Sequence, residues 1–483
     1  MAKTKKKTTV SLATWIVIWL AGFAGQLVWC IENQWFNTFV YDKIAPDPSI
    51  ITWMVGISAV VSTFSTFLMG TFSDRIGKRR IFILVGYVMW GISTIMFGLT
   101  QFTIGALGVT AAAVLVVVAD AIMSFFGSMG NDCGFSAWTT DISNPKNRGT
   151  IGTALAVQPV IATVTGSLVF GAILSAFSSL EVNGQKLDYV MLFLVVGIAI
   201  IIVGVVSFFL SKEGEGIIPR RDETFIESIK KPFNFKVLKN NKVLLYVLLT
   251  FCIFFISFNV YFPHILNYFL YGGAKETVSW LSTSLFGNTD SMEMVAGALL
   301  AVGLLFGFPL VIYCGKLLNK FRFIEILFVA VASNVLGLLI LFIGGVCNVQ
   351  YIPLIIIILF GIFFVGVGYM CLYQCLMVWI KNLYPSDMRS QFEGVRMIFY
   401  VCIPMFLGTF VGNIIVSNLG ETITLQYAQG PITGSAPNHW LFLIAIVLAL
   451  LTYIPIVLLA KEIKKNPPVY EGLIEEESEN NNI

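Results

Sequence analysis

Charged residues are scarce in this sequence of 483 residues, of which 12% are Asp, Glu, Lys or Arg and 57% are hydrophobic. Two histidines are too few for the usual zinc site, and the metalloprotease pattern HExxH does not occur. The phosphate-binding loop GxxxxGKS or GxxxxGKT is also missing, which argues against an ATP-driven pump. None of the eight cysteines forms a CxxC pair, so we expect them to pack structurally. We therefore predict neither an intramembrane enzyme nor a bound metal or cofactor.

Long apolar runs are what the sequence does have. Its mean hydropathy of +0.85 is too high for a soluble core, and about 20 apolar residues are needed to cross a bilayer as a helix. Membrane strands would be about 9 to 11 residues long with alternating polarity, which these runs are not. We predict an all-α membrane protein with twelve transmembrane helices. The predicted spans lie near 12–41, 51–72, 81–100, 111–138, 151–177, 190–210, 243–270, 292–314, 324–345, 352–380, 395–417 and 440–460.

The distribution of Lys and Arg predicts the orientation. With the N-terminus inside, 27 of the 30 cations fall on cytoplasmic segments, and only Lys43, Lys186 and Lys275 fall outside. The basic start resembles a signal peptide, but its apolar run continues through Gln26 and Glu32 without a cleavage pattern, so we interpret it as a retained first helix. We expect a multi-pass protein of the plasma (inner) membrane with both termini cytoplasmic. Its net charge of +3 then serves topology and lipid headgroups rather than nucleic acid.

Matching loops divide the chain into two halves. The stretch "GTFSDR" (70–75) recurs as "GKLLNK" (315–320), and "DISNPKNRG" (141–149) is paralleled by "LYPSDMRSQFEG" (383–394). We predict six-helix halves at 1–210 and 243–460, a cytoplasmic linker at 211–242 and a disordered acidic tail at 461–483. Two pseudo-symmetric halves repeated in parallel are typical of transporters that rock around a central site.

The stretch "GTFSDRIGKRR" resembles the signature loop of the major facilitator superfamily. The resemblance implies a cytoplasmic gate that holds the halves together when the site faces outward. In physical terms, Gly70 would allow close helix approach, Gly77 a tight turn, and Asp74 would accept hydrogen bonds, while the cations would pair with Asp141. A loop that only sets topology would explain the cations but not the glycines. The predicted gate residues are Gly70, Asp74, Arg75, Gly77, Lys78, Arg79, Arg80, Asp141, Arg148 and Arg389.

The first span, "GFAGQLVWCIENQWFNTFVYDKI", followed by "DRIGKRRIFILVGY", is similar to the sucrose-type carriers and the glycoside-pentoside-hexuronide cation symporters. This resemblance implies a secondary active transporter that moves a sugar or glycoside together with a cation, with a proton favoured over sodium. An efflux carrier for amphipathic compounds and a non-transporting receptor are the alternatives. The expected partners are the small solute, the coupling cation and membrane lipid, and we expect a functional monomer.

Polar residues at membrane depth mark candidate solute contacts. At 100° per residue, Gln26, Asn33 and Asn37 form one amide stripe, which either lines a cavity or joins helices by hydrogen bonds. Aromatic rings beside hydrogen-bonding groups suit a sugar. The further candidates are Gln158, Tyr261, His264, Tyr268, Tyr369 and Tyr373.

Two acids are the candidates for ion coupling. Asp120 is the deepest acid, and no Lys or Arg lies at a similar depth, so we expect it to bind a proton or a cation. The alternative for Asp120 is a neutral, hydrogen-bonded packing residue. Glu32 points away from the amide stripe toward aromatic residues, where loss of solvent would favour proton uptake. Alternatively, Glu32 reaches lipid headgroups or pairs with Lys43. Asp132 is predicted to join the cytoplasmic charge network with Arg75 or Arg148.

Overall fold

The architecture was taken from a computed structural model of the chain, which describes residues 10–143, 147–182, 184–214, 241–318, 322–383, 395–427 and 429–466. Thirteen helices are found in these ranges. They are α1 (Leu12–Ile44), α2 (Pro48–Ile76), α3 (Arg79–Leu99), α4 (104–141), α5 (Arg148–Ala176), α6 (Asp188–Leu210), α7 (Lys242–Leu270), α8 (Lys275–Phe286), α9 (Met292–Leu318), α10 (Phe323–Val346), α11 (Tyr351–Leu383), α12 (Val395–Leu419) and α13 (Trp440–Lys465).

All of these helices except α8 have the length and apolarity needed to cross a membrane. Within the described residues, eleven helical stretches pass this test, and the longest, the 63 residues of Arg79–Asp141, contains both α3 and α4. The short 3-10 turn Thr100–Thr103 joins those two helices. The protein is thus an integral multi-pass membrane protein with twelve membrane helices, which confirms the predicted fold class. The observed ends differ from the predicted ones by a few residues because helices extend into polar flanks.

Several membrane helices contain a wide π-helical turn, a feature that often occurs at functional sites. Helix α1 contains two, at Ile31–Trp35 and Val40–Ile44. Helix α4 contains one at Ser128–Phe135, and α12 contains one at Ile398–Cys402. Each such turn shifts the helical phase of the residues that follow, so side-chain directions calculated at a constant 100° per residue do not hold across it.

Two antiparallel β-hairpins interrupt the helical pattern between membrane helices. The first pairs β1 (Glu181–Val182) with β2 (Gln185–Lys186) between α5 and α6. The second pairs β3 (Glu421–Tyr427) with β4 (Gly430–Ala436) between α12 and α13. The sequence-based prediction left both segments as loops. The second strand pair alternates in exposure, as expected for a hairpin with one covered face.

Glycines allow close helix contacts, but not at the expected position. A Cβ atom at Gly86 would lie 2.3 Å from the Cα of Gly130, so α3 and α4 approach closely there. A Cβ at Gly70, in contrast, would meet no atom within 4 Å, and the close approach predicted for that glycine is wrong for the described residues. The tight turn predicted at Gly77 is confirmed, since this residue ends α2 with a left-handed φ of 70°.

The contact pattern separates two compact units. Among the described residues, the first lies within 1–225, 262–301 and 413–438, and the second lies within 226–261, 302–412 and 439–483. The first unit thus combines α1–α6 and α8 with parts of α7, α9 and α12 and with both hairpins. The second unit has an apolar core that includes Phe251, Leu372 and Trp379.

Candidate coupling site and cytoplasmic gate

The two predicted coupling acids meet inside the first unit. Glu32 lies on the π turn of α1 and is 5% exposed, and Asp120 lies on α4 and is 1% exposed. The two carboxyl groups are near enough to interact electrostatically, and Ser58 of α2 lies within hydrogen-bonding reach of both. Ser124, one turn after Asp120, donates a hydrogen bond of 2.7 Å to Oε1 of Glu32. Three helices therefore converge on one buried group of two acids and two hydroxyls.

Two carboxyl oxygens of this group lack a hydrogen-bond partner among the described residues. They are Oε2 of Glu32 and Oδ1 of Asp120, and both are buried. The hydroxyl of Ser58 donates its one proton to the carbonyl of Val55 at 3.0 Å, so towards the carboxyls its oxygen can act only as an acceptor. A protonated carboxyl that faces Ser58 can donate a hydrogen bond to the hydroxyl oxygen, whereas an ionised carboxylate cannot. Ser124, in contrast, donates a hydrogen bond and therefore also suits an ionised carboxylate. The group is therefore chemically equipped to hold a proton.

No cation neutralises these acids in the described part of the chain. The alternative pairing of Glu32 with Lys43 is wrong, because Lys43 binds Asp42 at 2.7 Å and Asp188 at 2.8 Å. Burial of Glu32 also excludes the predicted contact with lipid headgroups. The phase calculation missed this arrangement because it treated α1 as a regular helix, whereas Glu32 lies on a π turn that ends at Trp35.

His264 lies on an element that packs against the same turn of α1. Helix α7 is interrupted by the 3-10 turn Phe262–His264, which contains Pro263 and packs against Ile31–Trp35. His264 is fully buried, and neither of its ring nitrogens has a partner among the described residues. The break lies between Tyr261 and Tyr268, so these two predicted residues do not lie on one continuous α-helix. Tyr268 itself is buried in the helical segment that follows, Ile265–Leu270.

The predicted amide stripe of α1 is not a free polar surface. Asn33 donates to the carbonyl of Trp29 at 2.7 Å, and Asn37 donates to the carbonyl of Asn33 at 2.9 Å. Asn37 is fully buried, whereas Asn33 and Gln26 are partly exposed. The stripe was predicted at a constant 100° per residue, which does not hold across the π turn. The amino groups of Asn33 and Asn37 thus both donate to backbone carbonyls of α1 itself. Contact of these residues with a solute stays a prediction.

Gln158 joins two helices. Its amino group donates to the carbonyl of Ile18 at 2.8 Å, and the residue is 1% exposed beside Pro159 in α5. A Cβ atom at Gly22 would overlap its Oε1 atom at 2.2 Å, so the α1–α5 contact is shaped around this side chain. This geometry favours a role for the Gln158 amide in joining α1 to α5.

The second unit gathers the predicted tyrosines of α7 and α11. Tyr369 stacks on Phe258 at 4.6 Å between ring centroids, and its ring is nearly parallel to that of Tyr373 at 6.1 Å. Tyr261 packs against Phe258 at 5.5 Å, and its buried hydroxyl has no hydrogen-bond partner among the described residues. Asn334 is 1% exposed, and its Nδ2 has no hydrogen-bond partner among the described residues. The sequence-based prediction did not select Asn334, although a lone amide in an apolar helix is a usable signal.

The gate motif forms an ion-pair network around Arg79. The guanidinium binds Asp74 at 2.6 Å, Asp141 at 2.9 Å and the hydroxyl of Ser73 at 2.7 Å, and the Arg79 side chain is 9% exposed. The predicted contact between the motif and Asp141 thus occurs, but through Arg79 rather than through all four cations. Lys78 is exposed at the start of α3, and Arg75 lies partly buried in the last turn of α2.

The end of α6 supplies a gate partner that was not predicted. The Glu213 carboxylate accepts hydrogen bonds from the backbone N–H groups of Arg79 at 3.0 Å and Arg80 at 3.1 Å, and so caps α3. The Arg80 side chain donates to the carbonyl of Phe208 and to Ser211, and its guanidinium lies 4.7 Å from the Phe208 ring centroid. Glu213 lies in the predicted linker 211–242, and no sequence pattern marked it as a helix cap.

Two predicted gate residues contribute no described contact. Arg389 lies outside the described residues, and the side chain of Arg148 is likewise outside them. Asp132 accepts a hydrogen bond of 3.3 Å from the Nδ2 atom of Asn131, and the Oδ1 atom of Asn131 accepts one of 3.2 Å from the hydroxyl of Tyr87. Its predicted pairing with the cytoplasmic arginines stays a prediction.

Comparisons with known proteins agree with this architecture. Residues 14–409 match the family model of the Major Facilitator Superfamily. Among solved structures, a mutant of the nucleoside transporter NupG is similar over 93% of this chain and 100% of its own, with 11% identity and a TM-score of 0.67. A D-xylose-proton symporter is similar over 91% of this chain and 97% of its own, with 12% identity and a TM-score of 0.64. The xylose transporter XylE from E. coli is similar over 94% and 99%, with 12% identity and a TM-score of 0.61.

At these identities the structural likeness shows the fold alone, and no curated protein matches the sequence. The family model, however, covers most of the chain and both predicted halves. Its members are transporters rather than enzymes, in agreement with the prediction made from the missing catalytic motifs. The chain belongs to the major facilitator superfamily.

Proposed function

We propose that this transporter is a cation-coupled symporter of a small polar solute, with a proton as the coupling ion and a sugar or glycoside as the solute. The observation that carries the proposal is the buried group of Glu32, Asp120, Ser58 and Ser124. Two ionised carboxyls in an apolar interior cost several kcal/mol each, and no Lys or Arg of the described chain pairs with them. Such a pair is stable only when it binds protons or a small cation.

Proton binding would couple to conformational change through this desolvation cost. With the pair unprotonated, closing the surrounding helices would bury uncompensated charge. With a proton bound, closure no longer carries that cost, so the loaded carrier can pass between its outward-facing and inward-facing states. A protonated carboxyl that faces Ser58 would donate to its hydroxyl oxygen, whose own proton goes to the carbonyl of Val55. The sodium-gradient arm of the uptake test below distinguishes the proton from sodium as the coupling ion.

Three features support a sugar as the solute. The first span and the gate loop resemble the glycoside-pentoside-hexuronide and sucrose-type carriers, and two of the similar structures are xylose transporters by name. The tyrosines of the second unit present flat rings together with hydroxyls, which suits the C–H face and hydroxyl groups of a sugar. Buried His264 and Asn334 offer polar atoms without partners among the described residues.

The test is uptake into proteoliposomes with an imposed pH gradient, with an imposed sodium gradient and with neither, for a panel of sugars first screened by thermal stabilisation of the purified protein. We expect accumulation that follows the pH gradient. Asp120→Asn should abolish accumulation while solute exchange continues, because position 120 is then fixed in a neutral form and can no longer take up and release a proton. Asp290→Asn is the matched control, since Asp290 is exposed and binds only Lys186 in the described chain. Full gradient-driven uptake by the Asp120 variant would refute the coupling assignment.

One observation favours the second candidate, efflux of amphipathic compounds. A groove of about 710 Å³ lies between α1 and α5 and is mainly apolar, and its lining includes Trp15, Trp19 and Val157. That volume is in the range of pockets for drug-sized ligands. Transport of an amphipathic dye that is lost in a Trp19→Ala variant, together with no sugar uptake, would favour this function over the first.

A further inference from the structure

The β3–β4 hairpin is fastened to the end of α1. The two strands pair from Glu421 with Ala436 to Tyr427 with Gly430, and they belong to the same compact unit as α1 although almost 400 residues separate them. In the predicted topology both segments face outside, because α1 starts and α13 ends in the cytoplasm. A loop that merely connects α12 to α13 would need no such attachment.

Backbone and tyrosine hydrogen bonds make the attachment. The N–H of Ser435 donates to the carbonyl of Pro46 at 3.0 Å, and the hydroxyl of Tyr41 donates to the carbonyl of Ser435 at 2.7 Å. The hydroxyl of Tyr427 donates in the opposite direction, to the carbonyl of Tyr41. Tyr41 is fully buried and Tyr427 is 8% exposed, so both bonds are shielded from water.

The two surfaces fit closely where they meet. A Cβ atom at Gly434 would lie 1.9 Å from the carbonyl oxygen of Pro46, so only glycine allows the hairpin to seat. A Cβ atom at Gly272, which follows α7, would likewise lie 1.9 Å from the carbonyl oxygen of Pro437. The end of the hairpin thus touches both α1 and the segment after α7.

A second set of contacts ties the end of α7 to the same part of α1. Asn267 donates to the carbonyl of Asn37 at 3.1 Å, and Tyr271 donates to Asp42 at 3.3 Å. Asp42 is held in turn by Lys43, which also binds Asp188 at the start of α6. Burial raises the pKa of Tyr271 well above its usual range and also raises that of Tyr427, so both hydroxyls stay protonated donors at physiological pH.

We propose that the β3–β4 hairpin and residues 267–273 form an outer clasp on residues 37–46, at and just after the end of α1, and that this clasp must open for solute to enter from outside. Two elements of the second sequence half meet here on a single segment of the first half, so one release would free both. The joints are hydrogen bonds, neutral except for the one from Tyr271 to the Asp42 carboxylate, and each is worth only a few-fold in population. A closure of that strength can open and re-form in every transport cycle.

The experiment is hydrogen–deuterium exchange with mass spectrometry on the purified full chain in lipid nanodiscs. Tyr41→Phe and Tyr427→Phe each remove one clasp hydroxyl and keep the ring. We expect the open population, and with it the exchange rate, to rise about five-fold in each single variant and about 25-fold in the double variant. The rise should occur together in peptides covering 41–47, 265–275 and 421–438.

The control is Thr433→Val, which removes the hydroxyl contact of 2.9 Å with Thr424 on the exposed face of the same hairpin. It should leave exchange at 41–47 and 265–275 unchanged. Gly434→Ala is a second clasp variant and should give the same three-peptide pattern as the tyrosine double variant. Faster exchange confined to 421–438, or no change in the double variant, would overturn the clasp. The readout needs no solute, so a wrong solute assignment would not affect it.

Discussion

Removal of the Arg79 side chain is the sharpest test of the gate network. Its guanidinium reaches Asp74, Asp141 and Ser73 at 2.6 to 2.9 Å and so joins the end of α2 to the end of α4. In Arg79→Ala, two carboxylates would face each other without their shared cation.

The expected cost follows from burial. Breaking a fully buried ion pair costs about 3 to 5 kcal/mol. The arginine side chain is 9% exposed, but the two carboxylates are 33% and 22% exposed, so water can solvate them partly. We therefore expect a loss of about 2 to 3 kcal/mol. At about 2 °C per kcal/mol, the apparent Tm should fall by roughly 4 to 6 °C.

The assay is thermal unfolding of the purified protein in detergent. Arg79→Lys keeps the charge but cannot form the three-way fork, so its Tm should lie between those of Arg79→Ala and the parent protein. Lys78→Ala is the adjacent control, since Lys78 is exposed. Combining Arg79→Ala with Asp141→Asn should give a coupling energy of at least about 1 kcal/mol. Additive effects, or equal Tm values for Arg79→Ala and Lys78→Ala, would refute the network.

Two further changes test positions that sequence patterns did not mark. Glu213→Ala removes the carboxylate that caps α3 and should cost about 1 kcal/mol, read as a Tm decrease of about 2 °C, while the exposed Glu276→Ala should have no effect. Equal shifts would count against capping by Glu213. Gly297→Ala would place a Cβ 1.9 Å from the carbonyl oxygen of Ser167 and should lower the Tm by at least 4 °C, because two backbones must separate. Gly105→Ala, which meets no atom within 4 Å, should not lower the Tm, and a tolerated Gly297 variant would contradict the close α5–α9 contact.

The membrane helices, the turn at Gly77 and the gate motif were predictable because each depends on residues near one another in the sequence. An apolar run of sufficient length forms a helix in lipid wherever it packs. A glycine between a helix end and a basic cluster indicates a left-handed cap for the same local reason. Asp120 and Glu32 were recognisable as candidates because an acid in an apolar run is costly at any position.

The partners of these residues were decided by tertiary structure. Glu32 accepts a hydrogen bond from Ser124 and lies near Asp120 because α1, α2 and α4 converge there, and no pattern in the sequence encodes that convergence. Its pairing with Lys43, which sequence proximity suggested, is replaced by contacts with Asp42 and Asp188.

A twelve-helix membrane protein of the major facilitator type, with a gate loop and two acids in apolar runs, was predictable because apolar length and turn chemistry depend on contiguous residues. The grouping of the two acids, the capping of α3 by Glu213 and the binding of the β3–β4 hairpin to Tyr41 and Pro46 depend on the packed fold. The physical reason is that hydrogen bonds and ion pairs between distant segments depend on helix phase and approach. A few ångströms of displacement, set by the whole packed unit, decide which polar groups find each other.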